Sequence, residues 1–94
     1  MFEWDPAKAA ANLAKHGVSF NEASTVFGDI DGLDGPDILN SLEEARFLRM
    51  GLSSSGRVLV VAYTMRGEEG VEITRIISAR QASSHEEKDY FKAQ

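Results

Sequence analysis

RVLVVAYTM, residues 57–65, carries seven apolar residues in nine, with the length and valine content of a central strand covered on both faces. Its flanks show how the chain turns on either side. Ser54-Ser55-Gly56 reads as a hairpin loop before it, and Arg66-Gly67-Glu68-Glu69-Gly70 as a second turn after it. Ala45–Ser53 and Val71–Ala79 then supply neighbouring strands, and 45–79 becomes a three-stranded antiparallel meander.

Upstream of the meander the pattern is helical. Asp5 stands at an N-cap and Pro6 at the first helical position, where its missing N–H costs nothing. Ala7–His16 is rich in alanine, and Trp4, Leu13 and several alanines are expected to form its buried stripe. Lys8, Asn12 and Lys15 share the opposite face, expected to be exposed. Gly17 ends this helix, and Ser19 with Glu22 has capping-box spacing for a second one reaching Gly28. Val18 and Ala23 stand where a hydrophobic staple would. The first residues, MFEW, read as a short edge strand. Residues 28–44 hold three glycines, a proline, six acids and no lysine or arginine, and read as a loop with a helical turn near Ser41. Ser83 and Glu86 form another capping box for a last helix, which docks Tyr90 or Phe91 on the sheet. The expected order is β-α-α-β-β-β-α, an α+β fold in one domain spanning 1–94.

Composition narrows the function classes. The 94 residues contain no cysteine, which removes thiolate chemistry and suits a reducing cytoplasm. MFEWDPAKAA has two acids before any base and does not read as a signal peptide, and no apolar run approaches a membrane span. The net charge of −5 is uneven: residues 1–44 carry nine acids and two bases, −7, and residues 45–94 carry eight bases and six acids, +2. Loose nucleic-acid binding is disfavoured by that total, whereas a local basic region or a basic protein partner is compatible with it. No P-loop, GxGxxG or GxSxG motif is present, and two histidines about 70 residues apart do not make a zinc site. No cofactor or metal is expected.

The remaining chemistry rests on histidine, lysine and arginine. Histidine is the side chain whose charge changes near neutrality. His16 closes the first helix, where a cation also complements the helix dipole. Arg46, Arg49, Arg57, Arg66, Arg75 and Arg80 lie in or beside strands. Guanidinium groups fork onto phosphate, but strand arginines also pair with nearby acids. Strict alternation puts Val71, Ile73, Arg75, Ile77 and Ala79 on one face, and Glu72, Thr74, Ile76, Ser78 and Arg80 on the other. Arg75 interrupts the apolar face unless a bulge resets the register.

FEWDPAKAAANLAKHGVSFNEASTVFGD (2–29), GLSSSGRVLVVAYT (51–64) and ITRIISARQAS (73–83) together resemble the BrnT family of toxins from bacterial type II toxin–antitoxin systems. The resemblance covers nearly the whole chain. It rests on W-D-x-x-K-x-x-x-N-x-x-K-H-G-V-S-F and R-I-I-S-A-R. It implies a RelE-like fold with N-terminal helices on a small antiparallel sheet, and metal-independent endoribonuclease activity that inhibits translation in the cytoplasm. The implied partner is a BrnA-type antitoxin, with DNA reached only through that antitoxin, and assembly as a homodimer or as a heterotetramer with it. Carried over by position, His16, Lys15, Arg49 and Arg80 are the catalytic candidates, with Lys8 and Arg75 for RNA binding. His16 takes the acid–base role, and Arg80 and Arg49 take phosphate contacts. One departure stands out: much of the family reads D-x-x-H-S-x-x-E-x-R where this chain has Asn40 between Asp37 and Ser41. Asparagine carries no proton near neutrality. The alternatives are therefore a homologue that keeps antitoxin binding without catalysis, or a domain alike in fold alone.

Overall fold

The structure, a computed structural model, describes residues 1–42 and 44–94; Glu43, inside the expected loop 28–44, lies outside the described residues. The chain runs through β1 (Phe2–Glu3), α1 (Pro6–His16), α2 (Phe20–Thr25), β2 (Leu33–Pro36), β3 (Phe47–Leu52), β4 (Val58–Glu68), β5 (Val71–Gln81) and α3 (Ser84–Lys92). The five strands form one sheet in the order β1-β5-β4-β3-β2.

Local chemistry sets the first corner. The Asp5 carboxylate accepts the Ala7 amide at 2.8 Å, and Pro6 follows it at the helix start. Gly17 ends α1 at φ +67°, a conformation that any side chain would strain, and its amide returns to the Leu13 carbonyl. Ser19 accepts the Glu22 amide at 3.0 Å to start α2, with Val18 and Ala23 fully buried beside it. Only half of the expected capping box forms there. The Glu22 carboxylate is taken instead by Arg57, whose Nε and Nη2 donate to it at 2.8 and 2.7 Å. A charged two-point pair outcompetes a backbone amide. At α3 the box is complete: Ser83 accepts the Glu86 amide and Glu86 accepts the Ser83 amide.

The main core cluster lies between the N-terminal helices and the sheet. Val18, Phe20, Ala23 and Val26 pack on Leu59, Val61, Ile76 and Ala79, with Trp4, Ala9 and Phe27 at the rim. Each of the valine, leucine, isoleucine and phenylalanine side chains contributes on the order of 1.5–3 kcal/mol by leaving water. β4 is buried on both faces from Val58 to Val61, as a central strand should be. α3 lies across the other face, where Glu86 borders Val60 and Met50. Tyr90 is buried there with its hydroxyl donating to Asp29, whereas Phe91 is half exposed.

Four expectations are corrected. The sheet is mixed, because β1 runs parallel to β5; the remaining pairs are antiparallel. The expected loop 28–44 contains a fourth strand beside the meander, β2, which Leu33-Asp34-Gly35-Pro36 could not announce with so few strand formers. Its helical turn falls at Ile38–Asn40. Next, β4 runs through the expected second turn to Glu68, leaving Glu69 and Gly70 as a two-residue hairpin loop with φ +52° and +79°. Both values suit a type I′ turn, in which asparagine tolerates the first position better than glutamate does. Glu69→Asn is expected to stabilise the fold by about 0.5–1 kcal/mol, a rise of roughly 2–8 °C in the melting midpoint. An unchanged or lower midpoint would contradict it.

Finally, α1 buries a different face from the one expected. Leu13 is 51% exposed and Asn12 only 7%. The Asn12 amide group donates to the carbonyls of Val18 at 3.0 Å and Ala79 at 2.8 Å, and accepts the Ala79 amide at 3.1 Å. β1 pairs with β5 only at Thr74 and Arg75. Further along that edge the Asn12 side chain takes the place of a neighbouring strand.

Candidate functional site

The two faces of β5 are sorted by one irregularity. Ala62 pairs with Ser78, but Tyr63 pairs with Ile76, leaving Ile77 as an extra residue. That bulge resets the alternation. Cross-strand partners share a face, so Ile76 and Ala79 join Tyr63 and Val61 on the helix side. Arg75, Ser78 and Arg80 join Thr64, Ala62 and Val60 on the opposite side. Arg75 therefore does not interrupt the apolar face. Ser78 is an addition that strict alternation places with the wrong neighbours, and the only sequence signal for it is the cost of putting Arg75 among Ile73, Ile77 and Ala79.

α1 reaches the same strand from its edge. Lys8, Ala11, Asn12, Lys15 and His16 line a shallow depression of about 240 Å³ together with Ile77 and Ser78. Lys8 is exposed in the first turn of the helix and Lys15 and His16 in its last, and Asn12 locks that helix against Ala79. Among the described residues none of the three has an ion pair or side-chain hydrogen bond. The structure thus brings together Lys8, Lys15 and His16, and places Ser78 with Arg80 and Arg75 along the adjoining strand. Lys8 and Lys15 thus stand beside the strand that carries Arg75 and Arg80.

The two arginines are held by acids. Arg80 forks onto Glu86, with Nη1–Oε1 at 2.7 Å and Nη2–Oε2 at 2.9 Å. Arg75 donates to Glu3 at 2.9 Å, and Arg66 donates to the same carboxylate at 2.7 and 3.1 Å. Hydrogen bonds from Arg80 hold the Glu86 carboxyl down at about 2, and those from Arg66 and then Arg75 do the same for Glu3. Away from this surface, Arg57 draws Glu22 to about 2, helped by the hydroxyls of Ser55 and Ser53. Each folded-state value lies below the unfolded carboxylate's, so the stabilisation is present above about pH 4.5 and lost as pH falls toward 2. Thermal melts are expected to be flat from neutrality to about pH 5 and to drop steadily below it. A midpoint that rises on acidification through that window would contradict these assignments.

Arg49 is not brought to this surface. It pairs with Val61 on the helix side, where Nε donates to the Val26 carbonyl at 2.9 Å, Nη2 to the Asp29 carbonyl at 2.6 Å and Nη1 to Asp34. Its guanidinium also stands 5.5 Å from the Phe27 ring. Gly32 makes room for it, since a Cβ there would come within 2.3 Å of Nη2. The expected phosphate contact of Arg49 has no free donor edge to use in this arrangement. Asn40 is also remote from His16: it follows β2, three strands from β5, or roughly 14 Å at the usual strand spacing. Its amide donates to both oxygens of Asp37 at 3.2 and 3.1 Å and holds that turn.

Among the described residues no three His, Asp or Glu side chains are placed to hold a metal ion, and no helix is long and apolar enough to cross a membrane. Residues 4–86 match the family described as the ribonuclease toxin BrnT of type II toxin–antitoxin systems. The fold is similar to the 1.1 Å crystal structure of the Brucella abortus ribonuclease toxin BrnT. That match has a TM-score of 0.66 and 24% identity over 89% of this chain and 99% of that one. No curated protein matches the sequence.

Proposed function

Because the chain belongs to the BrnT family of ribonuclease toxins of type II toxin–antitoxin systems, we propose that it cleaves RNA in the groove between α1 and β5. The observation that carries this reading is the gathering of Lys8, Lys15 and His16 with Ser78 beside the bulge that turns Arg75 and Arg80 to the same side. In this reading a backbone phosphate lies along β5. Arg80 and Lys15 stabilise the charge that grows on it, and Lys8 and Arg75 hold the flanking phosphates. The ribose 2′-oxygen attacks phosphorus as its proton is removed, and the 5′-oxygen leaves with a proton, giving a 2′,3′-cyclic phosphate and a 5′-hydroxyl end. His16, exposed at the rim, is the proton carrier. No metal is required by these steps. Arg49 acts through stability alone.

The partner in this reading is a BrnA-type antitoxin, which supplies the DNA contacts of the pair, and the site of action is the cytoplasm, where RNA cleavage stops translation. The test is inducible expression in a bacterial host lacking the antitoxin, with growth and total RNA followed together. Growth arrest with RNA cleavage is the expected result. A second reading is favoured by the two acids that already occupy Arg75 and Arg80: an antitoxin-binding homologue with little catalysis. Accumulation of folded protein with intact RNA would select it.

A further inference from the structure

The sheet edge farthest from the groove carries the least explained surface of the molecule. β2 is the edge strand there and, among the described residues, pairs with β3 alone. Aliphatic side chains stand in solvent at both of its ends: Ile30 is 96% exposed at one, and Leu39 and Leu42 are 89% and 94% exposed at the other, beside Ile38. A soluble chain does not keep such a row bare without a use for it. The surrounding segment 28–44 holds six acids and no lysine or arginine. Asp34 is spent on Arg49 and Tyr63, and Asp29 on Tyr90 and the Leu52 amide. The side chains of Asp31 and Glu44 make no hydrogen bond or ion pair with any described residue.

This pattern selects its occupant. A second copy of the same edge would bring Asp31, Asp37 and Glu44 against their own counterparts, and like charges facing one another oppose that pairing. We infer that the β2 edge, with Ile30, Ile38, Leu39 and Leu42, is the docking surface for a basic amphipathic segment of the antitoxin. The inference rests on the toxin–antitoxin reading above and adds to it a place and a chemistry. An extended or helical segment with aliphatic residues on one side and lysine or arginine on the other covers the row and meets Asp31, Asp37 and Glu44 at its margins. Binding there lies three strands from the proposed RNA groove, so it leaves the catalytic residues themselves untouched.

The test uses the full chain and a BrnA-type antitoxin. Ile30→Ser, Leu39→Ser and Leu42→Ser combined remove surface side chains and are expected to leave the melting midpoint unchanged. They are expected to raise the antitoxin Kd at least 100-fold. Asp31→Lys with Glu44→Lys is expected to raise it about tenfold and to flatten its salt dependence. Leu13→Ser, on α1, is the control and is expected to change nothing. Hydrogen exchange of the wild-type complex is expected to show protection across 30–42. The inference is overturned if the triple variant binds within threefold of wild type, or if protection falls elsewhere while 30–42 exchanges as in the free chain. It is overturned equally by a free chain that dimerises through this edge. Failure of the wild-type chain to bind the antitoxin at all would take the toxin–antitoxin pairing down with it, whereas binding that ignores the triple variant removes only the surface.

Discussion

Asn12→Leu is expected to destabilise the protein by about 3–5 kcal/mol, the largest loss from any single exposed-looking position of α1. Leucine has the same branched outline but offers no hydrogen bond. The Ala79 N–H, the Ala79 carbonyl and the Val18 carbonyl would all lose their partner inside the protein. Each buried polar group left unmade costs on the order of 1–3 kcal/mol. Asn12→Asp keeps the acceptor but loses both donated bonds and brings a charge into a buried position, and a similar loss is expected. Denaturant unfolding followed by far-UV circular dichroism gives the numbers. A loss below about 1 kcal/mol would mean that water reaches the β5 edge and that α1 is not fixed there by Asn12. Because α1 carries Lys8, Lys15 and His16, the same substitution is also expected to lower RNA cleavage under conditions where the variant is still folded.

Arg80 and Arg49 should separate function from stability. Arg80→Ala is expected to lower the rate of RNA cleavage by roughly 10²–10³-fold, the usual cost of removing one group that stabilises transition-state charge. Its effect on stability should stay near 1 kcal/mol or less, since Arg80 and Glu86 are a partly exposed, solvent-screened pair. Arg49→Ala should do the reverse. It leaves Asp34 without its cation and two backbone carbonyls without their donor, at a cost of about 2–4 kcal/mol, while the folded fraction cleaves RNA normally. Melting curves and initial cleavage rates on both variants give a two-by-two comparison. Equal losses of rate in the two, corrected for folded fraction, would return Arg49 to the site.

Much of this fold is legible where the local chemistry is self-contained. Asp5-Pro6, Gly17, Ser19 and Ser83-Glu86 mark helix ends because each satisfies backbone groups within four residues of itself. RVLVVAYTM announces a central strand because nothing else buries so apolar a run. What stays hidden depends on partners far along the chain. Asn12 looks like one more polar residue beside two lysines until β1 proves too short to cover β5. Glu22 has the spacing of a capping box, but Arg57, 35 residues away, claims its carboxylate. β2 has almost no strand-forming residues and is held by its pairing with β3 and by the Asp34–Arg49 contact. The candidate site divides in the same way. Lys8 and Lys15 share a helix face that spacing alone reveals, and His16 closes the same helix. Their meeting with Ser78, Arg80 and Arg75 depends on a one-residue bulge at Ile77, which only the alternation conflict at Arg75 hints at.

The α1–β5 groove is tested by a cleavage assay with the purified chain alone, on single-stranded RNA in the presence of a metal chelator, comparing wild type with His16→Gln and Arg80→Ala. The wild-type chain is expected to produce fragments with 2′,3′-cyclic phosphate and 5′-hydroxyl ends, and both variants, folded to the same extent, are expected to be slower by about 10-fold or more. Cleavage by both variants at the wild-type rate would show that the α1–β5 groove is not where this chain meets RNA.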